Sequence, residues 1–179
     1  MLLELLGGLM IKLLTLEEIE KYKREISDIY KEVFKTDDFS ANFLITRIDG
    51  SLKNNIKIVG AFENEKLIGF VYGFDFLKEN WWAMQVDSQL PSGIDWYKGT
   101  FELNELAVIE KYQGKGCGKK LMKCLIENFE GDKILLSTKK FNNDKIINFY
   151  HKLGFKDLIN PFEYPNGDYE TSIILCLSK

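Results

Sequence analysis

The stretch Phe101–Phe129, FELNELAVIEKYQGKGCGKKLMKCLIENF, leaves this chain few ways to fold. An apolar-rich run, Phe101 to Ile109, carries two carboxylates, Glu102 and Glu105. A charged turn, Glu110 to Tyr112, leads into Gln113-Gly114-Lys115-Gly116-Cys117-Gly118. Cys117, Leu121, Cys124, Leu125 and Phe129 then recur at three- and four-residue steps, the period of an amphipathic helix. The unit therefore reads as strand, glycine loop, helix. The first turn of a helix has N–H groups without partners inside the helix, and a Ser, Thr, Asp or Asn ordinarily fills that need from the N-cap. None lies between Lys111 and Lys123. The donors are left to an outside acceptor, and the helix dipole favours an anion there. Glycines let an oxygen-rich group approach the backbone without meeting a β-carbon. With Lys115, Lys119 and Lys120 adding positive charge, a phosphate or diphosphate is the expected occupant. The plainer alternative is a glycine-rich strand-to-helix turn with no ligand, but such a turn needs one glycine rather than three.

The spacing separates classes of phosphate ligand. A P-loop requires GxxxxGK[ST], and here Gln113 replaces the first glycine and Lys120 the hydroxyl residue. A dinucleotide fingerprint requires GxGxxG, and Lys119 occupies its third glycine position. The pattern that fits is Q-x-x-G-x-G, from Gln113 through Gly116 to Gly118. It resembles the acyl-CoA diphosphate loop of the GNAT superfamily of N-acetyltransferases. A second segment about 30 residues on, from Asn143 through Phe149-Tyr150 to Leu153-Gly154-Phe155, also resembles that family, with Ile146 where its members often have Ala.

That resemblance covers Phe101 to Phe155 and implies an α/β (α+β) fold: a mixed, mostly antiparallel central sheet flanked by helices. It implies a splayed pair of strands, Phe101–Val108 and Ile134–Thr138, with the pantetheine arm of acetyl-CoA between them. Leu106, Ala107 and Val108 would line the arm. The segment Gln113, Gly114, Lys115, Gly116, Cys117, Gly118 and Lys119 would hold the diphosphate, and Asn143 would contact the arm near its middle. The implied reaction is direct attack of a primary amine on the thioester in a ternary complex. A carboxylate acting through one water removes the amine proton, an effect typically of about 10²–10⁴-fold. Glu102 falls where some family members keep that base, and Glu105 where many place an acidic residue. In a regular strand the two point to opposite faces, so both serve only if a bulge intervenes. The Leu106 N–H is the implied oxyanion donor, and Tyr150 matches the family's general-acid tyrosine. Read from the residues alone, Tyr150 is a tyrosine at the edge of a core shared with Ile146, Phe149 and Leu153, which is compatible with the catalytic role because a phenol can pack its ring and still present its hydroxyl, and either glutamate is an exposed carboxylate or ion pair. A non-catalytic acyl-CoA sensor is the alternative function, and a nucleotide switch a third that the failed P-loop match disfavours.

Composition limits the partners. The 179 residues are 45% hydrophobic and 28% charged, as expected for one soluble domain over the whole chain. A net charge of −3 argues against general nucleic-acid binding. Cys117, Cys124 and Cys176 form no CxxC pair and His151 is the lone histidine, so no metal site is expected. The odd cysteine count, with no secretion signal, points to the cytoplasm. Cys117 shares a face with Leu121, Cys124 and Leu125, which predicts a packed, unreactive thiol. The acceptor is expected to be a small-molecule or peptide amine. Glu102, Glu105, Asp87, Asp95, Glu163 and Asp168 would steer a cationic one. No membrane partner is expected, and a homodimer is one candidate assembly.

Elsewhere the pattern predicts a frayed extension over 1–9 and a strand over Ile11–Leu14. A helix capped by Thr15 follows and runs to about Phe34, as one piece or two, then an ambiguous stretch from Thr36 to Gly50. Ile56–Glu63 and Lys66–Phe76 read as a hairpin, with Gly69 and Gly73 marking a bulge or a close backbone approach. Leu77–Gly99, with its three tryptophans, breaks periodicity and reads equally as a substrate cover or as core padding. Lys133–Thr138 reads as a strand, Asn143 to Leu153 as a helix closed by Gly154, and Tyr169–Leu177 as the last strand.

Overall fold

A computed structural model describes residues 8–179. Seven strands and five α-helices follow the order β1 (Leu9–Leu13), α1 (Leu16–Phe34), α2 (Asp38–Ser51), β2 (Lys57–Glu63), β3 (Lys66–Asp75), α3 (Trp81–Val86), β4 (Thr100–Val108), α4 (Cys117–Asn128), β5 (Lys133–Lys139), α5 (Asp144–Lys152), β6 (Lys156–Phe162) and β7 (Ser172–Ser178). The strand order is β1-β2-β3-β4-β5-β7-β6. The β1–β2, β2–β3, β5–β7 and β7–β6 pairs are antiparallel and β4–β5 is parallel, so the sheet is mixed and mostly antiparallel, as anticipated. The chain divides into two compact units, residues 8–74 with 104–129, and residues 75–103 with 130–179.

In the first unit, Thr15 caps α1 through a reciprocal box. The Glu18 N–H donates to the Thr15 hydroxyl at 3.2 Å, and the Thr15 N–H donates to the Glu18 carboxylate at 3.0 Å. The helix then runs unbroken to Phe34, and Lys35 ends it in the left-handed region. The ambiguous stretch is a full helix, α2, whose first turn is capped by Asp37 accepting from the Ser40 N–H at 2.8 Å. Phe39 and Phe43 on α2 are exposed while Ala41, Leu44 and Ile48 are buried, which blurs the helical period in the sequence. β1 begins at Leu9, two residues before the expected strand, because Leu9 and Met10 continue the pairing opposite Glu63 and Phe62. The expected extension otherwise falls on residues 1–7, outside the described residues. The hairpin forms as predicted, with Asn64 and Glu65 both at positive φ. Its register shifts beside Ala61, opposite Gly69. Gly69 also meets β4 closely: a β-carbon there would stand 2.9 Å from the Ala107 carbonyl oxygen and 3.3 Å from the Val108 Cα. The core of this unit joins Ile19, Ile26 and Ile29 of α1 and Leu44 and Ile48 of α2 to the face of β2–β3 that carries Phe70 and Tyr72.

In the second unit, the start of β4 pairs with β5 through Thr100–Lys133, Phe101–Ile134 and Glu102–Leu135. The strand β6 has no counterpart in the sequence expectations. Its residues are half exposed and include Pro161, which suits a strand paired on one side only. The last strand starts at Ser172 rather than Tyr169, and Tyr169 lies in the preceding connection. The tryptophan-rich stretch forms the short helix α3 and then a single 3₁₀ turn, Asp87–Gln89. Trp82 and Trp96 are buried in a core with Phe76, Leu135 and Phe162, so two of the three tryptophans are core padding. Trp81 is half exposed and packs against Tyr164 and Tyr169.

Candidate active site

In the first unit, β4 passes through one 3₁₀ turn, Glu110–Tyr112, into the glycine loop and α4. Gly114 (φ 70°) and Gly116 (φ 82°) hold the left-handed conformations that bend the chain into the helix. A β-carbon at either position would meet nothing within 4 Å, so the space over the loop is open. Gly116 is the N-cap and gives no side-chain bond, and the Lys120 N–H donates to the Gly116 carbonyl at 3.1 Å. The N–H groups of Cys117, Gly118 and Lys119 precede that bond and are those a helix cannot satisfy internally. Lys115 and Lys119 are exposed beside them. Backbone donors thus gather at the positive end of a helix, an arrangement suited to an anion.

Gln113 does something else with its side chain. Its Nε2 donates to the Val108 carbonyl at 2.7 Å, tying the loop's entrance to the end of β4. The Tyr112 hydroxyl donates to the Glu63 carboxylate, which anchors the 3₁₀ turn to β2. Cys117 faces inward at 3% exposure, and burial pushes its thiol up to about 11 against the weak pull of Lys120. It is the packed, unreactive thiol the helical pattern indicated.

Glu105 sits next to Leu106, Ala107 and Val108 on β4, and its side chain keeps 20% exposure. The Arg47 guanidinium on α2 donates to its carboxylate at 3.2 Å and to the Asn104 side-chain oxygen at 3.1 Å. The Tyr72 hydroxyl donates to the same Asn104 oxygen at 3.3 Å. Burial raises the Glu105 carboxyl above its ordinary range, and Arg47 opposes that rise. Arg47, Asn104 and Tyr72 are absent from the sequence-derived set. One signal was present: the chain has two arginines among its 24 basic residues, and arginine is the cation suited to partly buried, two-pronged pairing.

In the second unit, Glu102 is buried at 4% exposure within the β4–β5 pairing. Tyr150 is buried near the end of α5, with its ring edge-on to Phe149 at 5.2 Å and to Phe155 at 5.5 Å. Gly154, at φ 98°, ends the helix as predicted: its N–H donates to the His151 carbonyl and the Phe155 N–H to the Tyr150 carbonyl. Asn143 stands at the N-cap of α5, yet its side chain does not cap the helix. Its Nδ2 donates to the Thr138 hydroxyl and the Lys139 carbonyl, both at 2.8 Å, fastening α5 to the end of β5. His151 pairs with Asp157 at 2.8 Å. Of the acidic residues expected to steer a cation, Asp87 accepts from the Tyr97 hydroxyl, Asp95 from the Tyr97 N–H and Glu163 from the Thr171 hydroxyl. Among the described residues no group of three or more His, Cys, Asp or Glu is placed to hold a metal ion, and no helix is long and apolar enough to cross a membrane.

Comparison with known proteins fits this geometry. The profile of the Acetyltransferase (GNAT) family matches residues 19–155, and the chain belongs to that family. A GCN5-like protein acetyltransferase of Mycobacterium tuberculosis is 31% identical over 121 residues, 63% of this chain. The match spans 58% of that relative's length. The ribosomal-protein-S18-alanine N-acetyltransferase of Escherichia coli superposes with a TM-score of 0.64 at 17% identity, covering 95% of this chain and 93% of that one. An aminoglycoside 6'-N-acetyltransferase complexed with coenzyme A superposes with a TM-score of 0.62 at 18% identity, covering 94% and 96%. At these identities the two structures speak to the fold. Acetyl-CoA is the cosubstrate of the family.

Proposed function

We propose that this chain moves an acetyl group from acetyl-CoA to a primary amine of a small molecule or peptide, by direct attack within a ternary complex. The observation that carries the reading is the start of α4, where an uncapped helix end lies behind two left-handed glycines with open space above them. The amides from Gly114 to Lys119 bind the diphosphate there, with Lys115 and Lys119 adding charge. The Gln113 side chain is committed to Val108, so Gln113 shapes the loop. Leu106, Ala107 and Val108 offer the strand backbone to the pantetheine arm, and Asn143 contributes from the head of α5.

The amine nitrogen attacks the thioester carbonyl and loses its proton to a carboxylate. Glu105 is better suited than Glu102, because it is half-buried where Glu102 is buried, and a base working through water needs that access. The Leu106 N–H stabilises the oxyanion. The carbon–sulfur bond then breaks, and the departing thiolate takes a proton from the Tyr150 hydroxyl, whose ring is held edge-on between two phenylalanines. The likeness to an aminoglycoside 6'-N-acetyltransferase and to a ribosomal-protein-S18-alanine N-acetyltransferase supports an amine acceptor of either size. We place the reaction in the cytoplasm, on the free cysteines.

The test is calorimetry with coenzyme A, acetyl-CoA, ATP and NAD, followed by a screen of primary amines for thiol release. Binding confined to coenzyme A and its acetyl ester, with amine-dependent thiol release that Tyr150→Phe lowers while coenzyme A affinity holds, is the expected result. Absence of heat from coenzyme A at millimolar concentration removes the proposal. Binding without turnover on any amine favours the sensor reading. Unchanged turnover in Tyr150→Phe removes the acid role alone.

A further inference from the structure

The guanidinium of Arg47 has no part in the chemistry outlined above, yet it touches the carboxylate assigned to it. It grips two successive residues of β4, Asn104 at 3.1 Å and Glu105 at 3.2 Å. Its far face lies over the Phe43 ring, 5.9 Å from the centroid and one helical turn back on α2. Asn104 is held in turn by the Tyr72 hydroxyl from β3. A planar fork is suited to this task, because it bonds two acceptors at a fixed angle while its face stacks on a ring. We propose that Arg47 is a positioning residue for acetyl transfer, holding the Glu105 carboxylate ionised and aimed so that it accepts the amine proton. This rests on the reading of Glu105 as the base.

The physical argument is a balance of opposed effects. Removal from water favours the neutral acid, and a neutral acid accepts no proton. Arg47 supplies the opposing charge at contact distance. Tyr30 from α1 also bears on both members of the pair and Tyr72 from β3 on Arg47, and burial pushes the Tyr30 phenol above its ordinary value. Arg47 is thus the cation placed to keep Glu105 charged. A surface ion pair would do neither job, since it is screened and mobile. This pair is only 29% and 20% exposed.

The experiment follows the Glu105 side-chain carboxyl by ¹³C NMR in glutamate-labelled protein, identified by its loss in Glu105→Gln. The pH dependence of kcat/KM is measured in parallel, with acetyl-CoA and the best amine from the screen. In Arg47→Met the Glu105 titration and the acid limb of kcat/KM should both move up by about 1–3 pH units, the usual effect of one contacting charge. Arg47→Lys keeps the charge without the fork. It should leave the limb near that of the unaltered protein while turnover falls about tenfold to a hundredfold, the cost of a misplaced base. A Glu105 titration that does not move in Arg47→Met overturns the proposal. If Arg47→Met does not fold, full turnover in Arg47→Lys overturns it instead. An acid limb that survives in Glu105→Gln overturns the base assignment itself, whatever the Arg47 variants do.

Discussion

Two glycines in the first unit should respond in opposite directions to the same added methyl. Gly50 lies in the last turn of α2, where a β-carbon meets nothing within 4 Å. Alanine there removes the backbone entropy penalty of glycine in a helix, so Gly50→Ala should stabilise by about 0.5–1 kcal/mol. Gly69 lies in β3, where the same atom would stand 2.9 Å from the Ala107 carbonyl oxygen, 3.1 Å from Val108 Cγ2 and 3.3 Å from Val108 Cα. Two of those three atoms are backbone, so neither rotates away. The unfolded-state gain from Gly→Ala, about 0.4–1 kcal/mol, is offset by an overpacking cost of about 1–3 kcal/mol. At the middle of those ranges Gly69→Ala should therefore destabilise by about 1–2 kcal/mol, and its melting temperature fall by about 2–8 °C. Gly50→Ala should rise by about 1–4 °C on the same scale. Urea and thermal unfolding of the two variants read the signs directly. Coenzyme A affinity supplies a further readout: Gly69→Ala pushes on Ala107 and Val108 and should weaken it, and Gly50→Ala should not. A Gly69→Ala protein as stable as the parent would refute the idea that β3 and β4 meet there by backbone contact.

Thr15→Ala breaks the capping box of α1 and should cost about 1 kcal/mol, read as a lower urea midpoint. Glu18, the other half of the box, has its carboxyl held below the ordinary range by Lys12 and by the Thr15 N–H, against burial. A depressed carboxyl contributes stability that is present above its unfolded value, near 4.5, and is lost as pH falls through the folded one. The penalty of Glu18→Gln should accordingly be full at neutral pH and vanish in acid, and a penalty independent of pH would contradict this. Cys117, at about 11, is well under about 0.1% thiolate at neutral pH. Iodoacetamide mapping by mass spectrometry should find it unmodified in the native protein and labelled in urea. Equal labelling in both states would show the thiol is not packed.

What the sequence disclosed was local. The glycine loop is legible because left-handed turns and a missing N-cap residue are written at single positions, Gly114, Gly116 and the absence of a capping side chain. Gly154 and Phe155 are legible for the same reason. The hidden parts depend on distant partners. The strand β6 is half exposed and carries Pro161, so neither alternation nor composition announces it, and it becomes a strand by pairing with β7. The helix α2 shows Phe39 and Phe43 to solvent, which obscures its face. Arg47 and Glu105 meet across a separation of 58 residues, and no short-range pattern records that. Asn143 carries the residue type of a helix cap, but two acceptors at the end of β5 hold its amide.

The inward turn of Gln113 has a consequence for discrimination. With that amide committed to the Val108 carbonyl, the loop presents main-chain N–H groups and exposed lysines. Such a surface registers how much negative charge arrives and how far apart its oxygens lie. It carries no vocabulary for an adenine, a ribose or a thioester. Under the proposed function, fidelity among diphosphate-bearing metabolites must be imposed elsewhere along the chain, and exchanging the loop alone would transplant grip without transplanting choice.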